Sequence, residues 1–214
     1  MNTGRATEPA AVRLNRLLAG AGLPVLQVEQ SKQVEAYFSL IIRWNTRMNL
    51  TAIRDEDGIL ARHFVESIAC AHALPREIAT LLDFGSGAGF PGIPITLCRP
   101  ELTVILAESQ SKKAAFLQEV LRVLGLQATV CSGRAETLTT TFDCVTLRAV
   151  DRMGRAVEAG GKLVRPGGWL ALLTTRTELA ALQSAAGMEF SWSDPSPLPG
   201  GKDRILALAK RATG

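Results

Sequence analysis

Nowhere does this 214-residue chain approach the ~20 consecutive apolar residues of a membrane-spanning helix, so no helical membrane anchor is expected. Histidine is scarce. His63 and His72 are the only two, and neither reaches metal-site spacing with a cysteine, so no metal is expected. The four cysteines, Cys70, Cys98, Cys131 and Cys144, lie far apart and form no C-x-x-C pair. Each sits in apolar sequence and reads as a buried reduced thiol of a cytoplasmic protein. There is no internal repeat and no low-complexity tract. Residues 17–26, L-L-A-G-A-G-L-P-V-L, resemble a secretory core. However, Arg13 and Arg16 abut them and no small-residue cleavage site follows, so a helix with a glycine cap is the better reading.

What is present suffices for one good core with a small appendage: 47% of the residues are hydrophobic, and the net charge is a mild +4. Residues 1–9 read as disordered. Residues 10–19 and 31–48 carry apolar side chains at helical spacing, with Ser31 as the expected N-cap of the second helix. Val34, Tyr37, Phe38, Ile41, Ile42 and Trp44 form its apolar stripe. A third helix is expected over 58–73, ended by Pro75. From residue 80 strands alternate with helices. Strands are expected at 80–84, 102–107, 127–132, 142–147, 168–174, 188–193 and 204–209, and helices at 92–98, 112–124, 153–164 and 177–186. The run Arg165-Pro-Gly-Gly reads as a helix end and tight turn before Trp169. The short Pro- and Gly-rich loop before residue 204 makes the last strand antiparallel. The expected fold is α/β: a mostly parallel, seven-stranded, Rossmann-like sheet after an N-terminal helical segment (residues 1–75, then 76–214).

The most informative stretch is residues 81–92, L-L-D-F-G-S-G-A-G-F-P-G. An apolar run ends in Asp83, and glycines follow at alternate positions, Gly85, Gly87 and Gly89. Nineteen residues after Gly89, at the end of a second apolar run, stands Glu108. A strand, glycine loop, helix and second strand ending in an acid make a nucleoside-binding half-sheet. Glycine lets the backbone turn sharply against a ligand, and a carboxylate can accept both hydroxyls of a ribose. The text Gly87-Ala-Gly89-Phe-Pro-Gly92 also matches a dinucleotide fingerprint. A pyrophosphate needs free N–H groups at that helix start, and Pro91 and Pro94 remove two. S-adenosylmethionine has no phosphate and loses nothing by this. Its ammonium would meet Asp83, directly or through water, and its carboxylate the loop N–H groups. A nicotinamide dinucleotide and a merely structural turn are the other readings.

Ligands of a parallel sheet sit beyond the carboxyl ends of its strands. Ala135 and Glu136 after the third strand are candidates for the adenine, although Glu136 at a helix start also suits the dipole. Arg148 follows the fourth strand. From Arg148 to Arg165 there are five basic residues, Arg148, Arg152, Arg155, Lys162 and Arg165, against Asp151 and Glu158, a net +3 over 18 residues. This run is either a solvated face or a phosphate-facing surface.

These residues together resemble the RsmG (glucose-inhibited division protein B) family of 16S ribosomal RNA methyltransferases, over nearly the whole chain. The carriers include Asn49-Leu-Thr, Arg62-His-Phe, Leu82-Asp-Phe-Gly-Ser-Gly-Ala-Gly-Phe-Pro-Gly-Ile-Pro94, Glu108-Ser, Gly133-Arg-Ala-Glu136, Arg148-Ala-Val and Arg165-Pro-Gly-Gly168. The resemblance implies methylation of N7 of a guanosine in the 530 loop, with S-adenosylmethionine held at Gly85, Phe90, Ala135, Glu136 and Arg148. The family usually has Asp at the position of Glu66, often Ser at that of Leu147, and often Lys-Gly where this chain has Thr174-Thr175-Arg176. That leaves Arg176 as the basic substitute there.

N7 carries no proton at neutral pH, so its attack on a sulfonium methyl needs no general base. No Asn-Pro-Pro-Tyr clamp and no catalytic cysteine motif occurs, so no catalytic side chain is assigned. Asn49, Arg62 and His63 are candidates to hold the guanine, or else polar ties between the helical segment and the sheet. Arg152, Arg155 and Arg165 are candidates for RNA phosphates. A monomer acting on 16S rRNA within the small subunit is expected. The alternatives are another RNA position or a small molecule as acceptor, or an RNA-binding module that keeps the pocket without turnover.

Overall fold

The computed structural model describes residues 8–213, so the disorder expected for residues 1–9 lies mostly outside the described residues. Helix α1 spans Ala10–Gly20 and α2 Val28–Asn45. Ser31 is not the cap of α2. Gln27 and Gln30 form a reciprocal capping box that starts the helix earlier, with Gln27 N–H donating to Gln30 Oε1 at 2.9 Å. Helix α3, Glu56–Ile59, is capped by Asp55. It continues through a π-helical turn, Leu60–Val65, into α4, Glu66–Ala73. Such wide turns shift the phase of a helix face and recur at functional sites. From this segment His63 meets Phe90 of the loop after β1 and Glu66 meets Arg148 at the end of β4.

The alternating half follows as β1 (Thr80–Phe84), α5 (Gly92–Cys98), β2 (Thr103–Glu108), α6 (Ser111–Leu124), β3 (Ala128–Ser132), a 3-10 turn (Ala135–Thr137), β4 (Phe142–Arg148), α7 (Met153–Lys162), β5 (Val164–Thr175), α8 (Arg176–Ala186), β6 (Phe190–Trp192), β7 (Ser196–Pro197) and β8 (Arg204–Arg211). The sheet order is β3-β2-β1-β4-β5-β8-β6, and the two-residue β7 also pairs with β8. Strands β1 to β5 run parallel, and β8 is antiparallel to β5 and β6.

Successive strand side chains face opposite sides, and β1 shows what that builds. Leu81 joins Leu14, Tyr37, Ile41, Phe64, Ile93 and Phe116 in a core made with the N-terminal helices. Leu82 joins Val145, Val157, Leu170 and Leu182 on the other face. The N-terminal helices therefore share the core of one sheet face. One local expectation is corrected. The run Arg165-Pro-Gly-Gly lies inside β5, not in a turn before it. The register jumps from Phe142↔Val164 to Cys144↔Trp169, so the run loops out as a bulge, with Gly167 at φ +73°.

Candidate functional site

A cavity of about 460 Å³ opens at the carboxyl ends of β1, β2 and β4. The N-terminal segment walls it with Leu50, Ile53, Arg62 and His63, and Arg204 closes it from the start of β8.

Its floor is the glycine loop. Gly85, Gly87 and Gly89 all have positive φ, +74°, +57° and +94°, where a Cβ is strained. The N–H groups of Gly85 and Ser86 both donate to Ala107 O, at 3.0 and 2.9 Å, pinning the loop to β2. A Cβ on Gly89 would stand 2.4 Å from Ile93 Cδ1 and 2.7 Å from Tyr37 Oη, whereas one on Gly87 would find nothing nearer than Gly85 O at 3.9 Å. Gly89 is therefore fixed by packing, and Gly87 faces open space. At the start of α5 the N–H groups of Gly89, Phe90, Gly92 and Ile93 already donate within the chain. No free set of donors remains there for a pyrophosphate.

Glu108, nearly buried, lines the cavity beside this loop. Its Oε2 accepts from Gly87 N–H at 2.9 Å and its Oε1 from Gln110 N–H at 2.7 Å. A carboxylate has about four lone-pair sites, so each oxygen keeps one for a ligand hydroxyl. Gly133 N–H donates to Glu108 O at 3.1 Å, which brings the turn holding Ala135 and Glu136 alongside. Ala135 is buried and Glu136 exposed, and neither lines the cavity itself.

Two expected roles meet a different geometry. Asp83 is buried behind the loop, not in the cavity wall. Its Oδ2 accepts from Gly92 N–H at 3.1 Å and its Oδ1 from Thr146 O–H at 2.9 Å, so it clasps β1 to α5 and β4. Burial raises its pKa to about 6, although those hydrogen bonds oppose the rise. In this structure Asp83 does not line the cavity, so of the two expected routes to a ligand ammonium the geometry favours the one through water. Arg165 is at the wrong end of the sheet. It pairs with Asp143 near the start of β4, whose Oδ2 accepts from Ala79 and Thr80 N–H at 2.8 Å each. Burial raises the Asp143 pKa, but Arg165 and those N–H groups overcome it and bring it to about 2. Asn49 is exposed, accepting from Arg54, and lies outside the cavity wall. Arg152 and Arg155 are exposed at the start of α7, and among the described residues neither forms an ion pair.

The opposite wall is an arginine cluster on one acid. Glu66 is fully buried. Its Oε1 accepts from Arg62 Nε at 2.9 Å, and its Oε2 from Arg148 Nη2 at 3.0 Å and Arg204 Nη2 at 3.3 Å. Arg148 Nη2 also donates to Arg62 O. Three guanidinium groups on one carboxylate leave two positive charges, and Arg148 Nη1 and Arg204 Nε are buried without a partner. Burial lowers the Arg148 pKa to about 10, with Glu66 opposing. In the sequence Glu66 stands out only as a departure from the family, and nothing there marks Arg204. The available signal for Glu66 is an acid set among Phe64, Val65 and Ile68 in a helical run.

His63 stacks on Phe90, ring centroids 4.9 Å apart and 20° between planes, and Phe90 stacks in turn on Tyr37 at 5.3 Å. Tyr37 O–H donates to Ala88 O at 2.5 Å, so this aromatic column braces the glycine loop from the helical side. His63 Nε2 shares a 2.6 Å hydrogen bond with Thr51 Oγ1, and its Nδ1 is buried without a partner. Burial first, then Arg148, Arg62 and Arg204, lower its pKa to about 3, so the ring is neutral at physiological pH.

Comparison with known proteins accords with this arrangement. The family model GidB, described as rRNA small subunit methyltransferase G, matches residues 30–196. The chain belongs to this family. A ribosomal RNA small subunit methyltransferase G of Roseiflexus sp. (strain RS-1) is 38% identical over 197 residues, 86% of this chain and 84% of that protein. One of Xanthomonas campestris pv. campestris (strain B100) is 41% identical over 182 residues, 81% of this chain and 84% of that protein. Among solved structures, the mitomycin 7-O-methyltransferase MmcR aligns with TM-score 0.63 at 17% identity, over 95% of this chain and 68% of that one. A SAM-dependent methyltransferase from Aquifex aeolicus aligns with TM-score 0.57 at 16% identity, over 72% and 93%. These two likenesses carry the fold: a Rossmann-like methyltransferase sheet with an antiparallel last strand.

The residues of the GidB-family cavity fit S-adenosylmethionine, the cofactor of this enzyme class. Arg148 Nη1 is a buried donor lacking an acceptor, as a methionine carboxylate would supply. Glu108 keeps acceptor sites for ribose hydroxyls, and the bare Gly87 leaves room between them.

Proposed function

We propose that the chain methylates N7 of a guanosine in the 530 loop of 16S rRNA, within the small ribosomal subunit. The observation that carries this reading is the joint placement of Glu108, Gly87 and the orphaned Arg148 Nη1 around one cavity in a chain of the GidB family. S-adenosylmethionine, when bound, supplies an electrophilic sulfonium methyl.

The chain's own residues position and exclude. Glu108 and Gly87 fix the nucleoside end, and Arg148, held by Glu66, fixes the carboxylate end. Phe90 and His63 present a stacked, uncharged surface between the two. A neutral His63 would not oppose positive charge developing on a base held beside it, whereas a protonated ring would. The Glu66 carboxylate draws the guanidinium groups of Arg62, Arg148 and Arg204 to one side. N7 already holds its lone pair, so no side chain has to take a proton. Arg152 and Arg155, unpaired at the cavity end of α7, are placed for phosphates.

In this reading the enzyme acts as a monomer. None of the described helices is long and apolar enough to cross a membrane, and the four cysteines are free thiols. Both fit work in the cytoplasm. In this reading the boundary between residues 1–75 and 76–214 separates two parts, the described residues of the first being a helical wall packed on the methyltransferase unit. The test is incorporation of tritium from methyl-labelled S-adenosylmethionine into isolated small subunits, followed by mapping of the modified base. Label on any site other than a guanine N7 in the 530 loop overturns the reading, as does no label at all.

A further inference from the structure

A second hollow lies next to the cavity, between α2 and α6. It measures about 370 Å³, at the lower end of small-ligand pockets, and is lined by Arg43, Trp44, Arg47, Met48, Lys112 and Ala115. Its floor is apolar and its rim is three cations with no carboxylate. The nearest acid along α6, Glu119, is already engaged by Arg122 at 3.0 and 3.1 Å. The Trp44 ring is half-buried and set edge-on against the fully buried Phe116, centroids 5.5 Å apart at 63°. The core therefore holds this indole rigid while part of it stays open.

The hollow is also close to the site along the chain. Lys112 lines it while its neighbour Lys113 lines the methyl-transfer cavity, and Met48 lines it while Leu50 lines the cavity. Two residues of chain span at most about 7 Å, so the backbone that lines one opening is a neighbour of the backbone that lines the other.

We propose that this hollow is a second nucleotide subsite, which takes an unpaired base flanking the target guanosine. The base stacks on Trp44, and the adjoining phosphates meet Arg43, Arg47 and Lys112. An apolar, immobilised aromatic face inside a ring of cations is the combination that single-stranded RNA selects. An acidic protein segment would use the cations but leave the flat indole unmatched. The proposal rests on RNA being the substrate, and it gives Trp44 a positioning role rather than a part in the chemistry.

The test uses the full chain carrying Trp169→Phe and Trp192→Phe, so that Trp44 is the only indole. Titration with a nine-nucleotide single-stranded RNA of one guanosine among adenosines should quench its fluorescence. In the otherwise native chain, Trp44→Leu should lower kcat/KM on small subunits by about five- to 150-fold, the range for loss of one base–aromatic stack. kcat and S-adenosylmethionine affinity should hold, and Trp44→Phe should restore most of the loss. Unchanged fluorescence together with wild-type kcat/KM for Trp44→Leu overturns the subsite. If Trp44→Leu instead lowers Tm or cofactor affinity, the triple variant Arg43→Gln, Arg47→Gln, Lys112→Gln decides. Its slope of log affinity against log salt should shallow by about 0.7 for each phosphate that no longer meets a cation, and an unchanged slope overturns the proposal. Should the unmodified enzyme fail to methylate small subunits, the functional reading falls on its own, and the fluorescence titration still decides the subsite.

Discussion

Glu108 Oε2 accepts the amide proton of Gly87 at 2.9 Å, so the acid at the end of β2 shapes the glycine loop as well as facing the cavity. Glu108→Ala therefore removes a ligand partner and a loop tether together. S-adenosylmethionine affinity should fall by roughly 1–3 kcal/mol, the range for losing a charged hydrogen-bond partner. Isothermal calorimetry reads this directly, and unchanged affinity would place the nucleoside elsewhere.

The glycines separate by what a side chain would meet. Gly87→Val places its methyls in open space at φ +57°, so it should abolish cofactor binding while lowering stability by only about 1–2 kcal/mol of left-handed strain. Gly92→Ala puts a Cβ 2.3 Å from Leu106 Cδ2 and 2.6 Å from Asp83 Oδ2, and should not fold normally. Thermal unfolding of the two variants side by side checks the contrast. A Gly87→Val protein that binds the cofactor normally contradicts it.

Two buried groups give the stability opposite slopes in acid. His63, depressed from 6.5 to about 3, contributes stability that is present above pH 6.5 and is lost as pH falls toward 3. Asp83, raised from 3.8 to about 6, contributes stability that is full below about 3.8 and is lost as pH rises through 6. Between about pH 4 and 6 the two slopes oppose, each by about one proton. Asp83→Asn should expose the histidine slope, so that its urea midpoint drops steadily as pH falls from 6 to 4. The wild-type midpoint should change much less over the same interval. Parallel curves for the two proteins would contradict this.

The chemical step should be nearly pH-independent. With both cofactor and subunits saturating, the single-turnover rate should stay nearly flat from about pH 6 to 9, because the cavity groups His63 and Arg148 are shifted to about 3 and about 10, and Asp83, shifted to about 6, lies behind the loop and takes no proton in the reaction. A rise of one decade per pH unit would signal a general base and exclude N7 as the acceptor.

The basic run should split in function. Arg152→Gln with Arg155→Gln should flatten the salt dependence of RNA binding, by about 0.7–0.9 in slope for each phosphate left unneutralised, without changing cofactor affinity. Arg165→Ala should leave RNA binding alone and lower Tm slightly, because it removes the guanidinium partner of Asp143, whose other oxygen still accepts from Ala79 and Thr80 N–H. An altered salt slope for Arg165→Ala would contradict the split.

The alternation of strands and helices is legible because apolar periodicity changes at residue 80. The glycine loop is legible because positive φ restricts the residue type. Arg165 is misleading because a charge run in sequence says nothing of which end of a strand each member occupies. Arg148 ends β4, and the chain then crosses back along α7, so Arg165 starts β5 at the opposite end. The arginine cluster is illegible for a different reason. Glu66 meets Arg148 across 82 residues and Arg204 across 138, separations that local pattern does not encode. Asp83 is legible as important, but its partners Gly92 and Thr146 are set by packing, so its role as a clasp is not.

Strand β8 is threaded between β5 and β6, not added at an edge. During synthesis, β5 and β6 are made before the strand that must lie between them, and Arg204 opens that strand. A ribosome-bound or truncated chain halted before residue 204 would thus have the glycine loop and Glu108 but an unfinished cavity wall. The last long strand to be made is thus the one that completes the cavity wall.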